Sequence, residues 1–194
     1  MSDADPRDIF IVAEQFRSAG ILTALVPKQA ASGDPHFDWA KDTPNMESAA
    51  MACLAFALEL YLKCFIRIEG KSYAKEHKLT KLFKLLSAET RGELEKQFEA
   101  NAANVRSYVA RTYAASGRPA PTVTLDFILT ASNDAFVNFR YIHECGTDAD
   151  KGWLGDTVVT GIRRMILAMH PDWEAARQLS PTTEIFLPPT FRVR

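Results

Sequence analysis

A chain of 194 residues, 47% hydrophobic and 24% charged, is long enough for one substantial core and short for two. Its formal net charge of -1 argues against an extended nucleic-acid surface and leaves room only for a local basic patch. Three widely separated cysteines (Cys53, Cys64, Cys145) form neither a disulfide framework nor a zinc motif, and the acidic start MSDADPRD lacks a secretory signal. The expected setting is the cytoplasm.

Helical patterns dominate the chain. From Pro6 to Leu25, Ile9, Val12, Ala13, Phe16 and Ala19 form an apolar stripe, with Asp5 as N-cap and Pro6 in the first turn. A loop rich in Pro, Gly and Asp follows, from Pro27 to Asn45. The longest predicted helix spans about Asn45 to Glu69 and ends at Gly70. It repeats Met51, Leu54, Leu58, Leu62 and Phe65 at helical spacing, and its alanines permit close neighbours. Glu59, Lys63 and Arg67 within it mark a core helix rather than a membrane span.

Beyond the linker KSYAKEH, the segment KLTKLFKLL places Leu79, Leu82, Phe83 and Leu86 on one face and lysines on the other. Ser87 reads as the cap of a helix from about Thr90 towards Phe98. Further helices are expected over about Asn104 to Ala115, Leu125 to Glu144 with Thr124 as cap, and Asp156 to His170, then a turn over Trp173 to Gln178. With no run of strand-like alternation, the fold class is all-α. The expectation is one domain over 1–194, an up-and-down bundle of about five to seven helices with its core over about 44–170 and an extended tail over 179–194.

Three pieces together resemble the HEPN superfamily of helical bundles: ALELYLKCFIRIEG with Glu59 and Lys63, the His77, Leu79, Leu82 arrangement, and FRYIHE ending at Glu144. They cover under a third of the chain. The resemblance implies a dimeric module that binds a nucleotide, RNA or a protein partner such as a nucleotidyltransferase, in a toxin–antitoxin or phage-defence setting. A homodimer is also expected because the long helix is apolar on more than one face. Many HEPN proteins are metal-independent endoribonucleases with an arginine and a histidine separated by four to six residues. In such a pair the arginine holds phosphate and the histidine moves a proton.

Arg140 and His143 lie closer together than that pattern, whereas Arg163 or Arg164 with His170 matches it in number. The preferred reading of Arg140 is structural. A carboxylate at Glu59 on so apolar a helix needs a partner: Lys63 one turn on can reach it, and Arg140 is the better candidate for a bidentate grip, so Glu59 and Arg140 are expected to face each other between the two central helices. The preferred function is therefore a non-enzymatic binding module, with a divergent ribonuclease using Arg140/His143 or Arg164/His170 as one alternative and a structural adaptor as the other. A run of lysines from Lys71 to Lys84, interleaved with Tyr73 and Phe83, is read first as a solvated face. With His77 at its centre, Lys75, Lys78 and Lys81 make the candidate anion-binding set. No cofactor motif is present, and the four histidines have no ligand spacing for a metal.

Overall fold

The computed structural model describes residues 4–29, 47–73, 75–135 and 155–176. Among them are eight helices and no strand: α1 (Pro6–Gln29), α2 (Glu47–Ile68), α3 (Leu79–Leu85), α4 (Ala88–Asn101), α5 (Ala103–Ala115), α6 (Leu125–Ala131), α7 (Asp156–Met169) and α8 (Trp173–Ala176). The protein is an all-α bundle. The count exceeds the expected five to seven because three of the helices span seven residues or fewer.

The α1 and α2 helices form an antiparallel pair, and the contacts between them descend on one as they rise on the other. The Cys64 thiol donates to the Pro6 carbonyl at 3.2 Å, Phe10 packs on Tyr61, and Phe16 meets Phe56 edge-on with ring centres 4.6 Å apart. Farther along, Gly20 lies against Ala50 and Leu54. A methyl group on Gly20 would sit 2.8 Å from Leu54 Cγ and 3.0 Å from the Ala50 carbonyl oxygen. The axes come this close because small residues (Ala13, Ala50, Ala57) line the seam.

These contacts predict opposite signs for one substitution at two sites. Gly20→Ala should destabilise the fold by about 1–3 kcal/mol, since overpacking outweighs the gain in helix propensity. Gly92→Ala in α4, where an added methyl meets nothing within 4 Å, should stabilise it by about 0.5–1 kcal/mol. Urea unfolding of the two variants checks the pair.

Three layers cover α2: α1, α3 and α7 each pack on it. Every residue from Tyr61 to Ile66 is buried, as are Ala57, Leu58 and Glu59. The stretch Ser48–Ile68 is apolar enough by composition to cross a membrane, but its C-terminal half is the centre of the bundle. It stops where expected: Gly70 adopts φ +69°, its N–H reaches the Arg67 carbonyl at 2.9 Å, and the Lys71 N–H reaches that of Ile66 at 3.0 Å. A glycine takes this left-handed conformation without the Cβ penalty.

The α4 helix begins two residues before the sequence suggests, with Ser87 Oγ accepting from the Thr90 N–H at 3.1 Å. Glu69 from the end of α2 braces the same turn, accepting from Thr90 Oγ1 at 2.6 Å, Ser87 N–H at 2.9 Å and Lys71 Nζ at 2.7 Å. Partial burial opposes ionisation of this carboxyl, but the bonds from Lys71, Thr90 and Ser87 outweigh it and hold Glu69 below the usual carboxylate range. The folded state thus prefers the ionised form. The contribution of Glu69 to stability is full above the ordinary carboxylate range and fades as pH falls through the lowered value. Glu69→Gln should therefore be less stable than the parent at pH 7, and the gap should close as the solution is acidified towards pH 3 in parallel melts.

Two expectations are corrected. The helix predicted from Leu125 to Glu144 is interrupted after Ala131 by a turn over Ser132 to Asp134, and the part of it from 136 on lies outside the described residues. Asn133 is drawn out of helical register to serve α3: its side-chain oxygen accepts from the Thr80 N–H at 2.9 Å and from Thr80 Oγ1 at 3.1 Å. It caps a helix whose own N-cap, Lys78, has no capping side chain. The α1 stripe is also rotated. Phe10, Ala13, Glu14 and Gly20 face inward, while Val12 and Ala19 are exposed. That helix continues through Pro27 to Gln29 rather than closing at Leu25, and so is longer than α2.

Candidate functional site

The residues with chemistry gather where α2, the 69–78 linker and α3 meet. Glu59 and Lys63 are one turn apart on α2, and Lys63 Nζ donates to Glu59 Oε1 at 2.6 Å with both side chains almost wholly enclosed. The linker brings His77 across this pair, with Nδ1 2.9 Å from the same Glu59 oxygen. Because a carboxylate only accepts, Nδ1 carries a proton and donates, so the nitrogen left for a ligand is Nε2, an acceptor in the neutral ring and a second N–H donor to an anion in the imidazolium. The imidazole is anchored from below yet open above: the His77 side chain is 70% exposed, the Glu59 side chain 4%. Tyr73 closes the cluster from the linker, its ring centre 5.2 Å from Lys63 Nζ, and burial raises its phenol pKa.

The lysine run divides around this anchor. Lys78 pairs with Asp134, Lys81 with Glu76 at 3.1 Å, and Lys71 with Glu69 at 2.7 Å while also donating to the Leu85 carbonyl. Glu76 in addition takes the backbone N–H groups of His77 and Lys78, at 3.0 and 2.9 Å, which fixes the turn carrying the imidazole. Lys75 and Lys84 are exposed and have no carboxylate partner among the described residues. The site thus joins Glu59 and Lys63, expected in an interior ion pair, to His77, expected in a surface anion site.

Arg140 and His143 lie outside the described residues, as do Cys145 and the tail from 177 on. The other arginine–histidine pair is split. Arg164 and His170 are six positions apart, roughly 240° around a helix. Arg164 points into a cavity between α2, α4 and α7, whereas His170 stacks on Trp173 with ring centres 4.2 Å apart.

Arg163 shares the His170 side of the helix but is committed elsewhere. Its Nε donates to Glu14 Oε1 at 2.7 Å and its terminal nitrogen to Glu174 at 2.9 and 3.1 Å. Burial works against its charge, and these carboxylates hold it ionised. Glu14 also accepts from the fully buried Tyr61, whose phenol is pushed far above its ordinary range by burial first and by the Glu14 carboxylate second. This second network was not anticipated from sequence. Its only local signal is the face shared by Phe10, Ala13, Glu14 and Gly20.

Of the cysteines, Cys53 and Cys64 are free, and burial pushes the Cys64 thiol pKa up to about 12, leaving it a structural thiol. The described residues contain no cluster of His, Cys, Asp and Glu able to hold a metal ion. Comparison of the chain with protein-family models, with characterised proteins and with solved structures finds no match.

Proposed function

We propose that the protein is a helical binding module that takes an anionic ligand, a nucleotide or RNA, at His77. The observation that carries this reading is an exposed imidazole whose orientation is set by a buried carboxylate–lysine pair. An ion pair in the interior is costly relative to apolar packing. A surface histidine needs no such anchor for stability, whereas a contact with a ligand gains from a ring held in one orientation. Lys75, two residues before it in the chain, exposed and without a carboxylate partner among the described residues, adds a positive charge to the same linker. The resemblance to HEPN bundles adds a phosphate-bearing ligand to this picture, together with a homodimer or a nucleotidyltransferase-type partner in a toxin–antitoxin or defence setting.

The test is fluorescence anisotropy with a labelled single-stranded RNA, with ATP and ADP as competitors, for the parent, His77→Ala and Lys75→Ala. Each variant should bind about 5- to 10-fold more weakly, the loss of one charge-assisted hydrogen bond or contact, with an unchanged melting temperature. Affinity of the parent should fall between 50 and 200 mM salt, as phosphate binding requires. Undiminished binding by both variants, or no binding of any phosphate compound, overturns the reading. Cleavage of the RNA in the presence of chelator would move the assignment to the ribonuclease alternative.

A further inference from the structure

A second site lies on the opposite side of α2. The α4 and α7 helices are antiparallel neighbours: Gln97 Cβ lies 3.7 Å from where a side chain on Gly161 would begin, while Asn101 meets the first turns of α7. Past Gly161 they part over the C-terminal end of α2 and leave a cavity of about 840 Å³, within the range of small-molecule sites. Its floor is apolar, made by Phe65 and Ile68 of α2 and Met165, Ala168 and Met169 of α7. Met169 is 46% exposed, an uncovered apolar surface that two flexible thioether side chains can reshape around a guest.

The charges around this floor decide its ligand. Glu69, Lys71, Ser87 and Thr90 satisfy one another at the α4 N-terminus. Glu93 accepts from Gln97 at 3.1 Å and pairs with Lys96 at 3.7 Å. Two charges remain without an ion-pair partner among the described residues, Arg164 and Glu89. Glu89 stands one turn of α4 beyond Glu93, about 6 Å farther from the Gln97 end. Arg164 stands at that end and also lines an adjoining polar cavity of about 210 Å³, with Thr157, Thr160, Asn101 and Gly161. Asp156 is at the far end of this smaller space, two turns of α7 away, about 12 Å along the axis. An apolar chamber and a polar one therefore meet at one unpaired guanidinium.

We infer that this paired cavity binds an amphiphilic organic anion, its apolar body on the Phe65–Met165 floor and its anionic head on Arg164. Guanidinium is suited to the head because it offers a planar fork of donors to a carboxylate or similar group. The methionine floor accounts for the body. The site is independent of His77 and does not require a nucleotide or RNA ligand there.

Three ten-carbon probes, decanoate, decanol and decyltrimethylammonium, test the assignment by isothermal titration below micelle-forming concentrations. The parent should bind decanoate about tenfold more tightly than decanol, and the ammonium most weakly, since one favourable charge contact is worth about a factor of ten. Arg164→Glu, at an exposed position, should reverse the order of the two ions and leave decanol unchanged. Ala168→Trp should fill the chamber and abolish binding of all three, with circular dichroism melts confirming that both variants are folded. Equal affinity for decanoate and decanol in the parent, an order unaffected by Arg164→Glu, binding that survives Ala168→Trp, or no binding of any probe would overturn the inference.

Discussion

Glu59→Ala should cost about 3–5 kcal/mol of folding stability, a fall of roughly 6–20 °C in melting temperature for a chain of this size. The loss comes from what is left behind. Lys63 is left with its ammonium on a side chain only 10% exposed, and the partner that remains to it among the described residues is the Tyr73 ring at 5.2 Å. A cation–π contact of about 0.5–2 kcal/mol does not replace a carboxylate. If this account is right, the double variant Glu59→Met/Lys63→Met should recover most of the loss, because well-packed apolar side chains avoid the desolvation cost of the pair. His77→Ala, at a side chain 70% exposed, should shift stability by less than about 1 kcal/mol. Urea denaturation of the three variants measures all of these. A double variant no more stable than Glu59→Ala would show that packing around α2, and not the stranded charge, sets the cost.

The second large effect is expected at Arg163. Its replacement by alanine removes the 2.7 Å bond to Glu14, a carboxylate 3% exposed between α1 and α2, and should destabilise the protein by about 3–5 kcal/mol. Tyr61→Phe keeps the packing but deletes a donor to the same carboxylate and should cost about 1–3 kcal/mol. Glu174→Ala removes only a partner whose side chain is 48% exposed, which is worth less than about 1 kcal/mol. Arg164→Ala, one residue away and facing the cavity, should be nearly neutral. Thermal melts of this set distinguish an interior ion-pair network from a surface one. Equal effects of Arg163→Ala and Arg164→Ala would contradict the assignment of Arg163 to the scaffold.

Local chemistry carried much of the architecture. Ser87 and Thr124 mark helix starts because their hydroxyls can accept from an N–H three residues on, a bond that depends on nothing distant. Gly70 marks an end for the same reason, its positive φ being a property of one residue. The near-continuous apolar surface of α2 likewise identifies a central helix, since only burial on several sides accommodates it.

Pairings between remote segments were decided by the tertiary structure alone. The break after Ala131 depends on Asn133 capping a helix 53 residues earlier, and no helical periodicity around Leu125 registers that competing bond. The inward turn of Glu14 is sustained by Tyr61, 47 residues on, and by Arg163, 149 residues on. Without them a carboxylate on that face would be read as exposed, which is why the stripe through Val12 and Ala19 looked the more apolar choice. Residue types and their spacing made Glu59 with Lys63 an interior pair and His77 a separate surface group. That all three meet at a single carboxylate oxygen is a consequence of the 69–78 linker folding back over α2, because a hydrogen bond between residues 18 apart is set by the path of the chain and not by its local composition.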